Sequence, residues 1–177
     1  MNDFLSLIAQ LKRVRRTGWV LEGVPDAESV ADHSWGMLLL LMLAFEHHDP
    51  EVDGPLDRER AMRLAVVHDL QEAITGDLVV GKSPLDLTKE EKRRREDEAE
   101  QKILALGGPS DLAALWDEYR EGTTLEARLV KDCDRLEMGL QAVGYREVGE
   151  LSVEGAAAFL TEDADYQTAM VRALLGR

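Results

Sequence analysis

No stretch of this sequence alternates apolar with polar residues at a period of two, whereas its apolar clusters recur at the three- and four-residue spacing of a helix. Phe4, Leu7, Ile8, Leu11 and Val14 mark a first helix from about Asp3 to Val14, ending before Thr17-Gly18, and Gly18 to Pro25 reads as a loop. Ser29 with Asp32 three residues on is a capping-box pattern that starts a second helix through Met37 to about His47. Asp49-Pro50 to Gly54-Pro55 is turn chemistry. Ala61, Leu64, Ala65 and Val67 carry a third helix into His68-Asp69, stopping at Gly76. Leu78 to Leu87 reads as a loop with Gly81 and Pro84. Thr88 with Glu91 opens a charged helix whose first half projects into solvent. A short helix through Leu112, Leu115, Trp116 and Tyr119 closes at Gly122, a long one runs from Thr124 to Glu147, and Asp163 to Leu175 is the last. The expected fold is all-α, a single-domain helical bundle over residues 1–150, with 151–177 a helical extension packed on it.

A chain of 177 residues, 45% hydrophobic, suffices for one domain with a real core. The longest apolar run, Met37 to Phe45, is well short of the roughly 18 residues that span a bilayer. Asp3 and the lack of a basic n-region argue against an export signal, so a cytoplasmic location is expected. A formal charge of −14 opposes broad binding to nucleic acid or anionic membrane. A small anion needs only a local basic pocket, and Lys12, Arg13, Arg15 and Arg16 are the densest basic cluster outside the mid-chain charge run. Cys133, the single cysteine, reads as a small buried hydrophobe.

The chemistry lies in residues that interrupt these apolar patterns. His68-Asp69 follows Leu64-Ala65-Val66-Val67, where a plain core helix would continue with leucine or alanine, and a buried carboxylate needs a partner. That partner is an arginine, a helix end, or a metal ion, for which imidazole and carboxylate are suitable mixed ligands. His33 is a second of only four histidines on an otherwise apolar helix, and together they suggest a distributed metal site wanting one more oxygen. Asp132 and Asp134 are the candidates. Periodicity slightly prefers Asp132, on the stripe with Leu125, Leu129, Leu136 and Leu140. Trp35 and Trp116 are assigned to packing, and His47-His48 and Lys92 to Arg95 to solvated helix faces.

Five segments then carry a resemblance: Leu11 to Val20, Glu28-Ser29-Val30-Ala31-Asp32-His33, Val67 to Ala73, Gly76-Asp77, and Val130 to Met138. In this order and over most of residues 11 to 147 they resemble the HD-domain hydrolases, more closely their 5'-deoxynucleotidase branch. The resemblance implies one divalent ion (manganese, cobalt, iron, nickel, magnesium or zinc) held by His33, His68, Asp69 and Asp134, against the periodicity preference. It implies Glu72 and Asp77 as the acids that orient or deprotonate water, Glu72 sharing a helical face with His68 four residues earlier. It makes Arg16 a phosphate contact, suited by its forked guanidinium, and Trp19 a wall against the sugar. In the bacterial enzymes of that branch the arginine directly precedes the tryptophan, whereas here Thr17 and Gly18 intervene. Di-iron and two-metal relatives need further histidines, and alarmone pyrophosphohydrolases carry Glu-Asp where this chain has Glu72-Ala73.

The implied function is hydrolysis of a (deoxy)nucleoside 5'-monophosphate to nucleoside and phosphate, in a homodimer. The alternatives are another phosphohydrolase of the superfamily, acting on a non-nucleotide monophosphate or an alarmone, and a metal-stabilised nucleotide-binding module without turnover.

Overall fold

The structure, a computed structural model, describes residues 3–81, 87–160 and 165–176. Eleven helices are found among them: α1 (Asp3–Leu11), α2 (Thr17–Leu21), α3 (Val30–Phe45), α4 (Pro50–Asp53), α5 (Arg58–Val67), α6 (Glu72–Thr75), α7 (Lys89–Ala105), α8 (Leu112–Glu121), α9 (Leu125–Glu147), α10 (Val153–Ala157) and α11 (Ala169–Leu174). Among the described residues there is no strand, only an isolated antiparallel bridge between Arg15 and Ser29. No helix among the described residues is long and apolar enough to cross a membrane. The all-α expectation holds.

The helices gather into two compact units, each made from two separated stretches of chain: Met1–Asp32 with Asp69–Ala113, and His33–His68 with Ala114–Arg177. In the first unit α1 and α7 both pack on α6. Leu7, Leu11, Trp19, Ala99 and Ile103 are buried there. In the second, α5, α10 and α11 pack on α9, which buries Leu129, Val130, Cys133 and Leu136. Cys133 is wholly enclosed, and that burial pushes its thiol pKa far above the ordinary range, as expected of an inert core residue.

The capping signals place the helix starts well. Ser29 and Asp32 bond reciprocally, the Ser29 N–H reaching the Asp32 carboxylate at 2.9 Å and the Asp32 N–H reaching the Ser29 hydroxyl at 3.2 Å. Thr88 and Glu91 do the same at α7, and Thr124 caps α9 by accepting from Ala127. The exposed half of α7 is laced by Arg93–Asp97 and Arg94–Glu98 pairs at i,i+4 spacing, as its solvated reading requires. His47 is exposed and His48 Nε2 donates to the Gly54 carbonyl at 2.9 Å.

Four expectations are corrected. The loop drawn from Gly18 contains α2, because Asp77 accepts the Thr17 N–H at 2.7 Å and so caps a helix start from sixty residues away in sequence. Asp49, which accepts from Glu51, organises α4 inside the turn segment. The last helix is only Ala169–Leu174, preceded by α10, whose run of small residues has no apolar stripe to betray it. The start of the longer helix, at Asp163, lies outside the described residues, as do residues 82–86 of the Leu78 to Leu87 loop. Trp35, assigned to packing, is 69% exposed, while Trp116 is buried as assigned.

Candidate metal centre

The third helix breaks where the chemistry begins. α5 ends at Val67, and the chain passes through His68 to Gln71 in tighter turns, with the N–H of Glu72 bonded to the Asp69 carbonyl and that of Ala73 to the Leu70 carbonyl, three residues back. Side chains engage the carbonyls that would have continued the ladder: His68 Nδ1 donates to Ala65 O at 2.8 Å, and the Trp116 indole N–H to Val67 O at 2.8 Å. The expectation that Glu72 shares one helical face with His68 is therefore corrected, since no single helix joins them.

In the second unit, α3 supplies His33, the end of α5 supplies His68, and α9 supplies Asp134. One ligand-type atom from each lies within 4.8 Å of the others. The rings of His33 and His68 stand edge to face, 5.8 Å apart. His33 is enclosed, with Nε2 3.1 Å from Asp134 Oδ1 and Nδ1 2.5 Å from Glu137 Oε2. Both ring nitrogens thus face carboxylates, yet a neutral imidazole has one proton to donate. The arrangement is satisfied when Nδ1–H goes to Glu137 and a cation is shared by Nε2 and Asp134. His68 is prepared the same way, since a carbonyl can only accept, which places its proton on Nδ1 and its lone pair on Nε2. Two neutral imidazoles and a carboxylate form a donor set that fits a divalent transition ion.

The two aspartates of α9 are clearly distinguished. Asp132 is fully buried, and both of its oxygens are taken: Oδ1 by Gln167 N–H at 3.1 Å and Arg135, Oδ2 by Thr168 N–H at 2.7 Å and Thr168 Oγ1 at 2.8 Å. It ties the C-terminal segment to α9. Asp134 keeps one oxygen toward His33 and accepts from the Tyr119 hydroxyl on the other at 3.0 Å. The stripe on which periodicity put Asp132, its preferred ligand candidate, is buried, and there both Asp132 oxygens accept from protein donors.

Within the first unit a charged cluster forms. Arg16 Nη1 lies 3.5 Å from Asp69 Oδ2, with both side chains mostly covered. Glu72 is 4% exposed, and burial, then the Asp69 and Asp77 carboxylates, hold its pKa well above the ordinary carboxylate range, with Arg16 and Lys92 pulling the other way. Asp77 accepts from the Thr17 N–H, and its carbonyl from the Thr17 hydroxyl at 2.7 Å, so it fastens the turn bearing Arg16. Trp19, the residue expected to wall the sugar, is 1% exposed and donates its indole N–H to Glu28 at 2.8 Å.

Tyr119 and Glu137 were not singled out in the sequence. Glu137 could have been, because it lies three residues past Asp134 on one face of α9. Tyr119 had no such signal, as its spacing is that of a packing residue.

The HD domain family model matches residues 8–167. The 5'-deoxynucleotidase HDDC2 of Homo sapiens is 43% identical over 151 residues, covering 82% of this chain and 68% of that protein. The 5'-deoxynucleotidase hdd1 of Schizosaccharomyces pombe is 37% identical over 149 residues, covering 80% and 70%. Among solved structures, a conserved hypothetical protein from Pyrococcus furiosus aligns with a TM-score of 0.79 at 34% identity, covering 98% of this chain and 94% of that one.

Proposed function

The chain belongs to the HD-domain family, and on that premise we propose that it is a metal-dependent 5'-deoxynucleotidase, releasing phosphate from a 2'-deoxynucleoside 5'-monophosphate. The observation that carries the reading is the His33, His68 and Asp134 cluster, with the Nδ1 protons of both histidines already committed elsewhere. Asp69, the next residue after His68, is assigned as the fourth ligand on the resemblance. When bound, a divalent ion there supplies Lewis acidity and brings the pKa of water toward neutrality. Histidine and carboxylate ligands accept several such ions, and availability selects among them.

Glu72 is assigned the proton. Its raised pKa suits a carboxylate that takes a proton from the attacking water and returns it to the departing 5'-oxygen as the P–O bond breaks, leaving nucleoside and inorganic phosphate. Arg16, released from Asp69, places its fork on the phosphate oxygens. Asp77 acts by holding the Arg16 turn, and Trp19 is assigned the sugar side on the resemblance. Glu72→Gln is expected to lower the rate of phosphate release by roughly 10²–10⁴-fold, the span of general acid–base catalysis, with metal content unchanged. Undiminished turnover in that variant removes Glu72 from the chemistry, whereas wild-type protein that binds deoxynucleotide without turnover favours a binding module.

The homodimer is carried as part of the proposal. Trp35, Leu39, Met42 and Leu43 form an exposed apolar stripe along α3, of the kind a second copy would cover. Light scattering is expected to give a dimer for the wild type and a monomer for Trp35→Glu, and a wild-type monomer at micromolar concentration sinks this assignment alone.

A further inference from the structure

We propose that Glu137 is a positioning residue for the metal centre, and that Gly36 is glycine to make room for it. The inference rests on the metal reading above and adds two residues to it. The two carboxylates on this face of α9 approach opposite nitrogens of one ring: Asp134 lies 3.1 Å from His33 Nε2, and Glu137 lies 2.5 Å from Nδ1. Asp134 therefore shares the metal-facing side, while Glu137 fixes the tautomer, holds the ring plane and makes Nε2 a better donor, as outer carboxylates do for ligating histidines. Its side chain is only 10% exposed, so water competes little for the imidazole.

Gly36 lies three residues past His33 on α3, as Glu137 lies three past Asp134 on α9, so matching faces of the two helices meet. A Cβ on residue 36 would stand 2.7 Å from Glu137 Oε1, 3.1 Å from Cγ and 3.3 Å from Cδ. These three nearest atoms all belong to the Glu137 side chain. The atom that must yield is the end of a flexible side chain, and that end is the carboxylate bonded to His33. Gly36 has no positive φ to justify it, and helix propensity favours alanine at an interior position. Space for the carboxylate is the remaining physical reason for glycine there.

The test is Co²⁺ titration of metal-stripped full-length protein, followed by the visible absorption of the bound ion, for wild type, Glu137→Ala, Glu137→Gln, Gly36→Ala and the Gly36→Ala/Glu137→Ala double variant. Both alanine variants are expected to weaken Co²⁺ binding by roughly 10–100-fold and to alter the absorption band, with Glu137→Gln in between. In the double variant Gly36→Ala is expected to add nothing further, because the group it displaces has gone. Thermal melting without metal is expected to be unchanged or raised by Gly36→Ala, so weakened binding in that variant cannot be charged to misfolding. Co²⁺ affinity and spectrum equal to wild type in Glu137→Ala, or fully additive losses in the double variant, overturn the proposal. Wild-type protein that takes up no Co²⁺ overturns the metal reading and this proposal together.

Discussion

Asp134→Ala is expected to leave a well-folded protein without its metal: Co²⁺ or Mn²⁺ affinity and phosphate release each fall by more than about a hundredfold, beyond what losing an outer partner costs. The Asp134 side chain is 28% exposed and faces His33 and the Tyr119 hydroxyl, so its removal opens little of the core. The melting temperature of the metal-stripped variant is expected to shift by only about 1–2 °C, in line with a partly exposed substitution. Metal content after dialysis, phosphate release from a deoxynucleoside 5'-monophosphate and a melt without metal measure the three quantities. Retention of stoichiometric metal would move the third ligand elsewhere.

The reverse pattern is expected two residues earlier in the chain. Asp132→Ala removes the shared acceptor of Gln167 N–H, Thr168 N–H, the Thr168 hydroxyl and Arg135, in a site closed to solvent. Donors buried without an acceptor and a cation deprived of its partner cost about 3 kcal/mol or more together. For a chain of this size that lowers the melting temperature by roughly 6–12 °C. Metal affinity per folded molecule is expected to stay near wild type, because neither Asp132 oxygen points toward a histidine. An Asp132→Ala protein that melts normally and loses its metal would exchange the roles assigned to the two aspartates.

Much of this was legible from local signals. Helix starts marked by Ser29 and Thr88 were found because a cap and its partner lie three residues apart, within reach of a sequence pattern. What escaped depends on partners distant in the chain. The α2 turn is capped by Asp77, the helix break at His68 is stabilised by the indole of Trp116, and the C-terminal segment is held by Asp132. The same distinction runs through the site. His33 and His68 stand out as ionisable residues in apolar helices, whereas Asp132 and Asp134 differ only in which donors surround them. The exposure of Trp35 had no local sign either, because an apolar face on a helix looks the same whether it meets the core or not.

The two histidines of the centre are oriented by different kinds of partner, and this makes the site unequally robust to mutation. His68 gives its Nδ1 proton to the carbonyl of Ala65, a backbone group that every amino acid carries, so no codon change at position 65 deletes the acceptor. His33 gives its proton to the Glu137 side chain, which a single base change can remove, and needs a glycine opposite it as well. Random mutagenesis under selection for activity should therefore find its loss-of-affinity alleles mostly on the His33 side, making that half of the centre the larger target for genetic damage and the easier half to retune for another ion.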